Sequence, residues 1–376
     1  MNLLVIRFSS AGDIVLTSLF VRALRRRFPD ANIHYLTKQE FAPLLDQSPH
    51  INRVITIGKN DGRGQLGALK VSLLRQLGGR YDVAYDLHNS LRSRWFRRGV
   101  AKRVEVIKKP SLKKRLLVWF KWNVLRPIIP IPELYLEVGK RDGVANDGEG
   151  LELFTGAIIS PIPPLPGSLT VAFAPGARHR TKQWPPERFI ELGKSLQERY
   201  QARIVLFGSA PEQQLCQMIA DGIAAETFGD AALRPLPQSI PLPLPLHLAG
   251  TTSWLETAAA LDSCDVVVTN DSAMAHIAAA RKRPVVAVFG STVPEFGFAP
   301  YGTRSAVVGA AGLGCRPCST IGRDRCPKGH FRCMMDIEAG RVLEGIEGVK
   351  GSSYRVAFDV VGLPLKGGSL ESCFAK

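Results

Sequence analysis

The sequence predicts an α/β protein made of two tandem units, each a parallel sheet with helices on both faces. Apolar runs typical of buried strands alternate with helical periodicity over residues 3–87, and the alternation restarts at residue 169. A proline-rich stretch, 159–167, separates the two series and has the composition of a stiff linker. A length of 376 residues also suits two domains. We therefore predict domains at 1–160 and 168–345, with a cleft between them, and a tail of unknown structure at 346–376.

Each predicted element has its own local pattern. The strands are expected at residues 3–8, 33–36, 54–57 and 81–87 in the first unit and 169–174, 203–207, 266–269 and 285–289 in the second. The helices are expected at 13–28, 41–45 and 65–77, then at 186–200, 211–223, 253–262 and 273–280. A second proline run, 235–245, is typical of a surface insertion.

The chain is strongly basic, with 49 Lys and Arg against 33 Asp and Glu. This balance favours polyanionic partners such as phosphorylated substrates or an anionic membrane face. Since uncharged apolar runs of about 18 residues are absent from the sequence, we expect no transmembrane helix. The first residues are interrupted by Arg7 and Asp13 and lack a small-residue cleavage site, so we expect no signal peptide and a cytoplasmic protein.

Much of the positive charge lies in residues 92–126, which hold thirteen Lys or Arg and one acid, Glu105. Tryptophan, phenylalanine and leucine are interleaved with these charges. The pattern suits an interfacial segment on an anionic membrane, and it equally suits one or two amphipathic helices with a solvated basic face. Since a recognised nucleic-acid motif does not accompany the charge, we predict no nucleic-acid partner.

The turns after the strands are the places to expect chemistry, because ligands of parallel α/β sheets bind at the carboxyl ends of the strands. The first turn, 7–13, ends in Asp13 at the start of a helix. It does not match G-x-G-x-x-G, which argues against a nicotinamide dinucleotide site. Asp13 alone fits two roles, a helix cap and a general base that points into the cleft.

Two turns of the second unit hold further charged candidates. Arg178 and Lys182 follow a buried strand, where they suit either a diphosphate clamp or a solvated basic loop. Glu212 lies in a first helical turn, a common place for an acid, and it also suits a hydrogen bond from a ribose hydroxyl.

Among the turns, the one after residues 266–269 gives the clearest prediction of a ligand site. An apolar strand runs directly into a helix whose first N–H groups would bind a pyrophosphate. Asp271 and Ser272 lie at this start and suit simple capping as well. His276 follows one helical turn later, where a lone histidine is more typical of packing than of chemistry.

Six motifs occur in an order that resembles the ADP-heptose:lipopolysaccharide heptosyltransferases of glycosyltransferase family 9. They are residues 8–17 (FSSAGDIVLT), 175–177 with 182–185 (PGA, KQWP), 208–212 (GSAPE), 248–251 (LAGT), 269–276 (TNDSAMAH) and 284–295 (PVVAVFGSTVPE). The resemblance covers about residues 1–340. It implies a GT-B fold, two Rossmann-like domains with an interdomain cleft. Ala273, where the family often has glycine, and the proline run 235–245 depart from the pattern.

The same resemblance assigns roles to residues. Asp13 would be the catalytic base, and the acceptor would lie near Ser10, Arg92 and Arg94. The nucleotide sugar would be bound by Arg178, Thr181, Lys182, Glu212, Asp271, Ser272 and His276. The implied enzyme inverts the anomeric centre, needs no metal or other cofactor for catalysis, and moves heptose from ADP-heptose to the inner core of lipopolysaccharide. Its acceptor is lipid-linked and anionic, so we expect peripheral contact with the cytoplasmic face of the inner membrane.

Two other functions remain open at this point. One is the same fold and chemistry with another nucleotide sugar for a cell-surface glycan. The other is an inactive relative that binds polyanions, against which the joint presence of Asp13, Lys182 and Asp271 argues.

A cluster of cysteines near the end of the second unit is the last candidate site. Cys315, Cys318, Cys326 and Cys333 lie within nineteen residues, and the first pair has the spacing of metal ligands. A structural zinc or an iron–sulfur cluster would fit these thiols. Four reduced thiols in an irregular loop, or a disulfide, fit them too.

Overall fold

The computed structural model describes residues 1–163, 165, 167–229 and 243–351. Most of the proline run 235–245, and the predicted tail beyond residue 351, lie outside the described residues. In the part that is described, two parallel sheets follow one another along the chain, as the sequence predicts. The domain bounds themselves stay a prediction.

The first sheet is built from the first third of the chain. Its strands are β1 (Asn2–Ile6), β2 (Asn32–Lys38), β3 (Arg53–Ile57), β4 (Tyr81–Asp86) and β5 (Ala101–Val106). Its helices are α1 (Ala11–Leu16), α2 (Ser18–Arg27), α3 (Pro43–Asp46), α4 (Arg63–Gln76), α5 (Leu91–Arg97), α6 (Ser111–Phe120) and α7 (Ile131–Gly139). The predicted first helix is therefore two helices, which meet at Thr17.

Within the described residues, the second sheet has six strands. They are β6 (Thr170–Ala174), β7 (Arg203–Leu206), β8 (Leu246–His247), β9 (Val266–Asn270), β10 (Val285–Phe289) and β11 (Ser305–Gly309). The helices are α8 (Pro186–Tyr200), α9 (Gln213–Gly229), α10 (Trp254–Leu261), α11 (Ala273–Ala280), α12 (Arg332–Met335) and α13 (Ala339–Lys350).

The order of the strands places the turns that carry the candidate residues. The first sheet has the order β3-β2-β1-β4-β5 and the second β11-β10-β9-β6-β7-β8, with every described pairing parallel. Along β1, Leu3 and Val5 belong to one apolar cluster while Leu4 and Ile6 belong to another, so both faces of the sheet are covered. The central strands β1, β6 and β9 lead into the turn before Asp13, the 175–184 loop and the turn that contains Ser272.

The two sheets turn these carboxyl ends toward each other. A side chain at Gly12 would come within 2.9 Å of the His276 ring and 3.2 Å of the Ala273 Cα, so α1 and α11 approach almost backbone to backbone. One continuous apolar cluster includes Val5 of the first sheet and Val267 of the second. The candidate residues of both domains therefore border one cleft. Among the described helices, none combines the length and the apolar character needed to cross a bilayer.

Candidate active site

Asp13 lies in the first turn of α1, and all of its hydrogen bonds come from its own domain. Its Oδ1 is 2.6 Å from Arg7 Nη2 and 3.4 Å from the Tyr135 hydroxyl. Its Oδ2 accepts from the backbone N–H and the hydroxyl of Ser10, at 3.1 and 2.9 Å. Arg7 itself is fixed by donating to the carbonyls of Ser9 and Leu87. Asp13 therefore has one fixed orientation.

These contacts set the charge of Asp13. Burial on its own would raise the pKa of this carboxyl, but the guanidinium of Arg7 and the hydrogen bonds from Ser10 outweigh burial and lower the pKa. The carboxylate is thus ionised at neutral pH although its side chain is only 18% exposed. Capping and a chemical role are compatible here, because the hydrogen bonds that cap the helix also keep the group charged.

Across the cleft, Lys182 lies beside the start of α11. Its Nζ is 2.7 Å from Asp271 Oδ2, and the Thr292 hydroxyl donates to the same oxygen at 2.6 Å. Ser272 is the N-cap residue of α11, and its hydroxyl accepts from the N–H of Met274. A helix start beside a lysine is a suitable place for a phosphate. The structure therefore brings together Lys182, Asp271 and Ser272, which come from two separate motifs.

The loop after β6 is tied to the same helix start by Asn270 and lies against Glu212. Asn270, fully buried, donates to the Pro175 carbonyl at 2.7 Å and accepts from the Trp184 N–H at 3.0 Å. At Gly176 a Cβ would lie 1.8 Å from Glu212 Oε1, so only glycine leaves room for this carboxylate. Glu212 in turn accepts from the N–H and the hydroxyl of Ser209. Glu212 thus lies against the 175–184 loop.

His276 lies between the charged groups of the two domains. Its ring is buried, its Nδ1 has no hydrogen-bond partner, and burial lowers its pKa to about 4. The carboxylates of Asp271 and Asp13 oppose this shift, and the charge of Lys182 adds to it. The imidazole is therefore neutral at physiological pH, in agreement with a packing role against Gly12 and α1.

A cavity of about 280 Å³ opens next to Asp13. Its lining is basic and apolar, and both domains contribute to it. The residues are Arg7, Asp13, Ile107, Lys109, Pro110, Ser111, Lys114, Arg115, Ile131, Leu134, Tyr135, Phe298, Thr320 and Ile321. Among the lysines of this lining, Lys114 is held by the second domain: burial lowers its pKa to about 8, and its Nζ donates to the Phe296 carbonyl at 2.8 Å. The cavity suits an anionic, partly apolar ligand.

The other predicted residues lie outside this cavity. Ser10 supports Asp13, while Arg92 donates weakly to the Lys59 carbonyl and Arg94 donates to Asn89. Arg178 lies in the 175–184 loop and is exposed to solvent. Thr181 is buried, where its hydroxyl donates to Ser291 and accepts from the N–H of Arg323. Its hydroxyl therefore stabilises the loop that holds Lys182.

Comparison with known proteins agrees with this geometry. The model of glycosyltransferase family 9 (heptosyltransferase) matches residues 166–325. The chain is 28% identical to lipopolysaccharide heptosyltransferase 2 of Escherichia coli K12, covering 92% of this chain and 97% of that protein. It is 29% identical to lipooligosaccharide heptosyltransferase 2 of Haemophilus influenzae, covering 79% and 85%. The chain is thus similar to glycosyltransferase family 9, by the family model in its second half and by heptosyltransferase relatives over most of its length.

The fold of this glycosyltransferase also matches solved structures of the family. The E. coli heptosyltransferase WaaC with ADP-2-deoxy-2-fluoro heptose superposes with a TM-score of 0.63 at 19% identity, covering 92% of this chain and 99% of that one. The predicted GT-B arrangement of two Rossmann-like domains is thereby confirmed.

The four cysteines of the glycosyltransferase do line one small cavity, together with His330. Their thiols are free, and Cys315 Sγ lies 3.7 Å from His330 Nε2. Cys333 is buried in α12, which raises the pKa of its thiol to about 12. Throughout the described ranges, His, Cys, Asp and Glu side chains do not form a group of three placed to hold a metal ion. The predicted zinc or iron–sulfur site is therefore not supported.

Sequence reasoning missed several residues of the glycosyltransferase site. Arg7 and Tyr135 contact Asp13 from positions 6 and 122 residues away. The only signal for Arg7 in the sequence was its position as a charged residue at the end of an apolar strand, which does not identify a partner for Asp13. Lys109 and Lys114 were part of the basic stretch 92–126, but their position in the cavity follows from the turn that the chain makes after β5.

Proposed function

We propose that this glycosyltransferase moves heptose from ADP-heptose to an anionic, lipid-linked acceptor, the inner core of lipopolysaccharide. The observation that carries the proposal is the pair of sites that face each other across Gly12. On one side a half-buried, ionised Asp13 borders a basic cavity, and on the other Lys182 lies at the start of α11. The matched relatives carry the same activity in their names.

In the proposed reaction the acceptor hydroxyl attacks the anomeric carbon from the face opposite ADP. The bond from that carbon to the diphosphate oxygen breaks with its electron pair, and the hydroxyl proton passes to Asp13. The leaving ADP gains negative charge, which Lys182 and the N–H groups of α11 stabilise. One displacement inverts the anomeric centre.

The donor side is proposed to use the residues around α11. Lys182 and Arg178 contact the diphosphate, Glu212 accepts from a ribose hydroxyl, and Asp271 with Ser272 positions the loop. Thr181 and His276 support this site from the interior. No metal takes part, because Lys182 and the helix start supply the positive charge.

The acceptor side is proposed to be the cavity beside Asp13. Lys109, Lys114 and Arg115 would bind the phosphate and carboxylate groups of the acceptor, and Arg92 and Arg94 would contact its outer part. The enzyme would then act in peripheral contact with the cytoplasmic face of the inner membrane, where such an acceptor is anchored.

The test is calorimetric binding of ADP, UDP and GDP without metal, followed by a transfer assay with ADP-heptose. We expect selective binding of ADP, transfer that persists with EDTA, and an inverted anomeric centre in the NMR spectrum of the product. Lys182→Met should weaken ADP binding, whereas Lys140→Met, which removes an exposed lysine paired with Glu137, should not. Preference for UDP or GDP would refute the donor, and retention of configuration would refute the mechanism.

A further inference from the structure

Helix α6 carries apolar side chains on two opposite faces, one packed on the protein and one exposed to solvent. Leu117 and Val118 pack inward against Val293, Phe296 and Phe298 of the second domain. On the other side, Leu112 and Trp119 are 67% and 65% exposed. Because Leu112, Leu116 and Trp119 are four and three residues apart, they lie along one line of the helix. This outward line is not needed to fold the helix onto the protein.

The exposed apolar surface continues past the end of α6. Phe120 and Trp122 stack with their ring centroids 5.3 Å apart, and both are largely exposed, as is Val124. We call Leu112, Trp119, Phe120, Trp122 and Val124 the α6 surface. Large apolar side chains scattered singly over a protein need no explanation, but a contiguous group is typical of an interaction site.

The charges around the α6 surface are of one sign. Residues 107–129 hold seven Lys or Arg and no acidic residue. Lys113 and Arg115 border the exposed line of α6 on its two sides, and Arg126 follows it. Exposed tryptophans with flanking basic side chains are the composition of segments that lie in the interface of an anionic bilayer. A protein partner would have to supply acidic charge around an apolar groove, whereas the bilayer offers both over its whole area.

The α6 surface is held rigidly and lies next to the cavity. Ser111, Lys114 and Arg115 of the same helix line the cavity, so the helix has the cavity on one side and the exposed line on another. Lys121 donates to the carbonyl of Pro317 at 2.7 Å, which ties the end of α6 to the second domain. A surface that meets lipid here would place the mouth of the cavity at the headgroups.

We propose that the α6 surface docks the enzyme on an anionic lipid bilayer, with Trp119 and Trp122 in the interface and the basic side chains on the headgroups. The docking places Asp13 within reach of a lipid-linked acceptor, and only this consequence rests on the proposed function. The binding itself depends on the surface alone.

The experiment uses the full chain and two kinds of vesicles, phosphatidylcholine alone and phosphatidylcholine mixed with phosphatidylglycerol. We expect sedimentation with the mixed vesicles, little with phosphatidylcholine, and weaker binding in high salt. Trp119→Ser with Trp122→Ser should lower the partition coefficient at least about tenfold, because two large side chains leave the interface. Brominated lipid should quench tryptophan fluorescence in the wild type, and this quenching should fall in the double variant.

Matched controls separate docking from general attraction. Met218→Ser removes an exposed apolar side chain on α9, and Arg75→Gln with Arg80→Gln removes two exposed charges at the end of α4 and directly before β4, outside the α6 surface. Both should leave vesicle binding unchanged, whereas Lys113→Gln with Arg126→Gln should weaken it. Equal binding by the tryptophan variant and the wild type, or no binding of the wild type to mixed vesicles, would overturn the proposal. Circular dichroism confirms that each variant is folded.

A second assay keeps this failure distinct from failure of the proposed function. Transfer to the acceptor oligosaccharide without its acyl chains should be the same for the tryptophan variant and the wild type. Vesicle binding without any transfer from ADP-heptose would refute the proposed function and leave the docking surface in place. Transfer to the soluble acceptor without vesicle binding would refute the docking surface alone.

Discussion

At the scale of single residues, the site depends on how Asp13 is held. Four contacts from Arg7, Ser10 and Tyr135 fix both carboxylate oxygens, and the charge of Arg7 compensates for burial. The motif around residues 8–17 was enough to predict Asp13 as a candidate base. The contact between Asp13 and Tyr135 could not be predicted from local motifs, because residues so far apart in sequence meet only once the chain has folded.

The first prediction concerns Asp13 itself. Asp13→Asn should retain the fold and ADP binding but lose about 10²- to 10⁴-fold in kcat, because only the proton acceptor is removed. Asp30→Asn, at the exposed end of α2, is the matched control and should transfer at the wild-type rate. Turnover of Asp13→Asn close to the wild type would rule out the assigned base.

The second prediction concerns pH. Burial lowers the pKa of both His88 and His276 to about 4, while an unfolded histidine has a pKa near 6.5. Between these values the unfolded chain binds more protons than the native one, so the free energy of unfolding falls as pH drops from about 6.5 to 4. The loss should reach at most about 3 kcal/mol for each histidine.

Urea unfolding at a series of pH values between 4 and 7 measures this dependence. His88→Gln and His276→Gln should each give a flatter curve than the wild type, and the exposed His330→Gln is the matched control. An unchanged slope in both buried-site variants would contradict the assignment.

At the scale of elements, the sequence predicted the central strands and the edge strand β3, but it missed β5, β8 and β11. Strands β1, β6, β9 and β10 are covered on both faces, so they are continuous apolar runs that the pattern detects. Strand β5, at the edge of its sheet, carries Lys102, Arg103 and Glu105. It lies in the basic stretch 92–126, for which the sequence predicts an interfacial segment or one or two amphipathic helices. Charges are normal at an edge, where one side meets solvent. Local patterns cannot distinguish such a strand from a polar helix or loop.

The third prediction concerns the approach of α1 to α11. Gly12→Ala would place a Cβ 2.9 Å from the His276 ring, so the two helices must separate by a few tenths of an ångström or more. Asp13 lies on α1, and Asp271 and Ser272 directly precede α11, so a wider spacing moves the proposed base away from the proposed donor site. We therefore expect kcat to fall about 10- to 100-fold. Gly64→Ala, in the open first turn of α4, is the control and should stabilise slightly, by up to about 1 kcal/mol. Full activity of Gly12→Ala would show that this spacing is unimportant for transfer.

At the scale of the whole molecule, the segment 147–153 contacts side chains of both domains and so holds them together. Arg22 of α2 binds Asp147 and Glu152 and donates to the Gly150 carbonyl, while Lys282 of the second domain donates to the Leu151 carbonyl. Together with the apolar cluster that spans both sheets, these contacts make the domains depend on each other for stability. Chain length, the restart of the strand–helix alternation and the proline-rich linker predicted two units, but not how closely they pack.

The fourth prediction uses two arginines on one carboxylate. Arg22 and Arg26 both contact Asp147, but Arg22 is buried and the Arg26 side chain is 55% exposed. Arg22→Met should lower the free energy of unfolding by about 3–5 kcal/mol, because buried carboxylates lose their partner. Arg26→Met should change it by about 0–1 kcal/mol. Urea unfolding followed by fluorescence and circular dichroism measures both, and equal effects would refute the distinction.

Lys114 belongs to the first domain, yet its ammonium donates to a carbonyl of the second and lies over the rings of Phe296 and Phe298. An anion that enters the cavity competes with that carbonyl for the same ammonium. Binding of an anion in the cavity and the contact between domains should therefore be coupled. If that anion is the proposed acceptor, the factor by which it changes the affinity for the donor equals the factor by which the donor changes the affinity for the acceptor. Because the pKa of Lys114 is about 8, this cooperativity should diminish in alkaline solution.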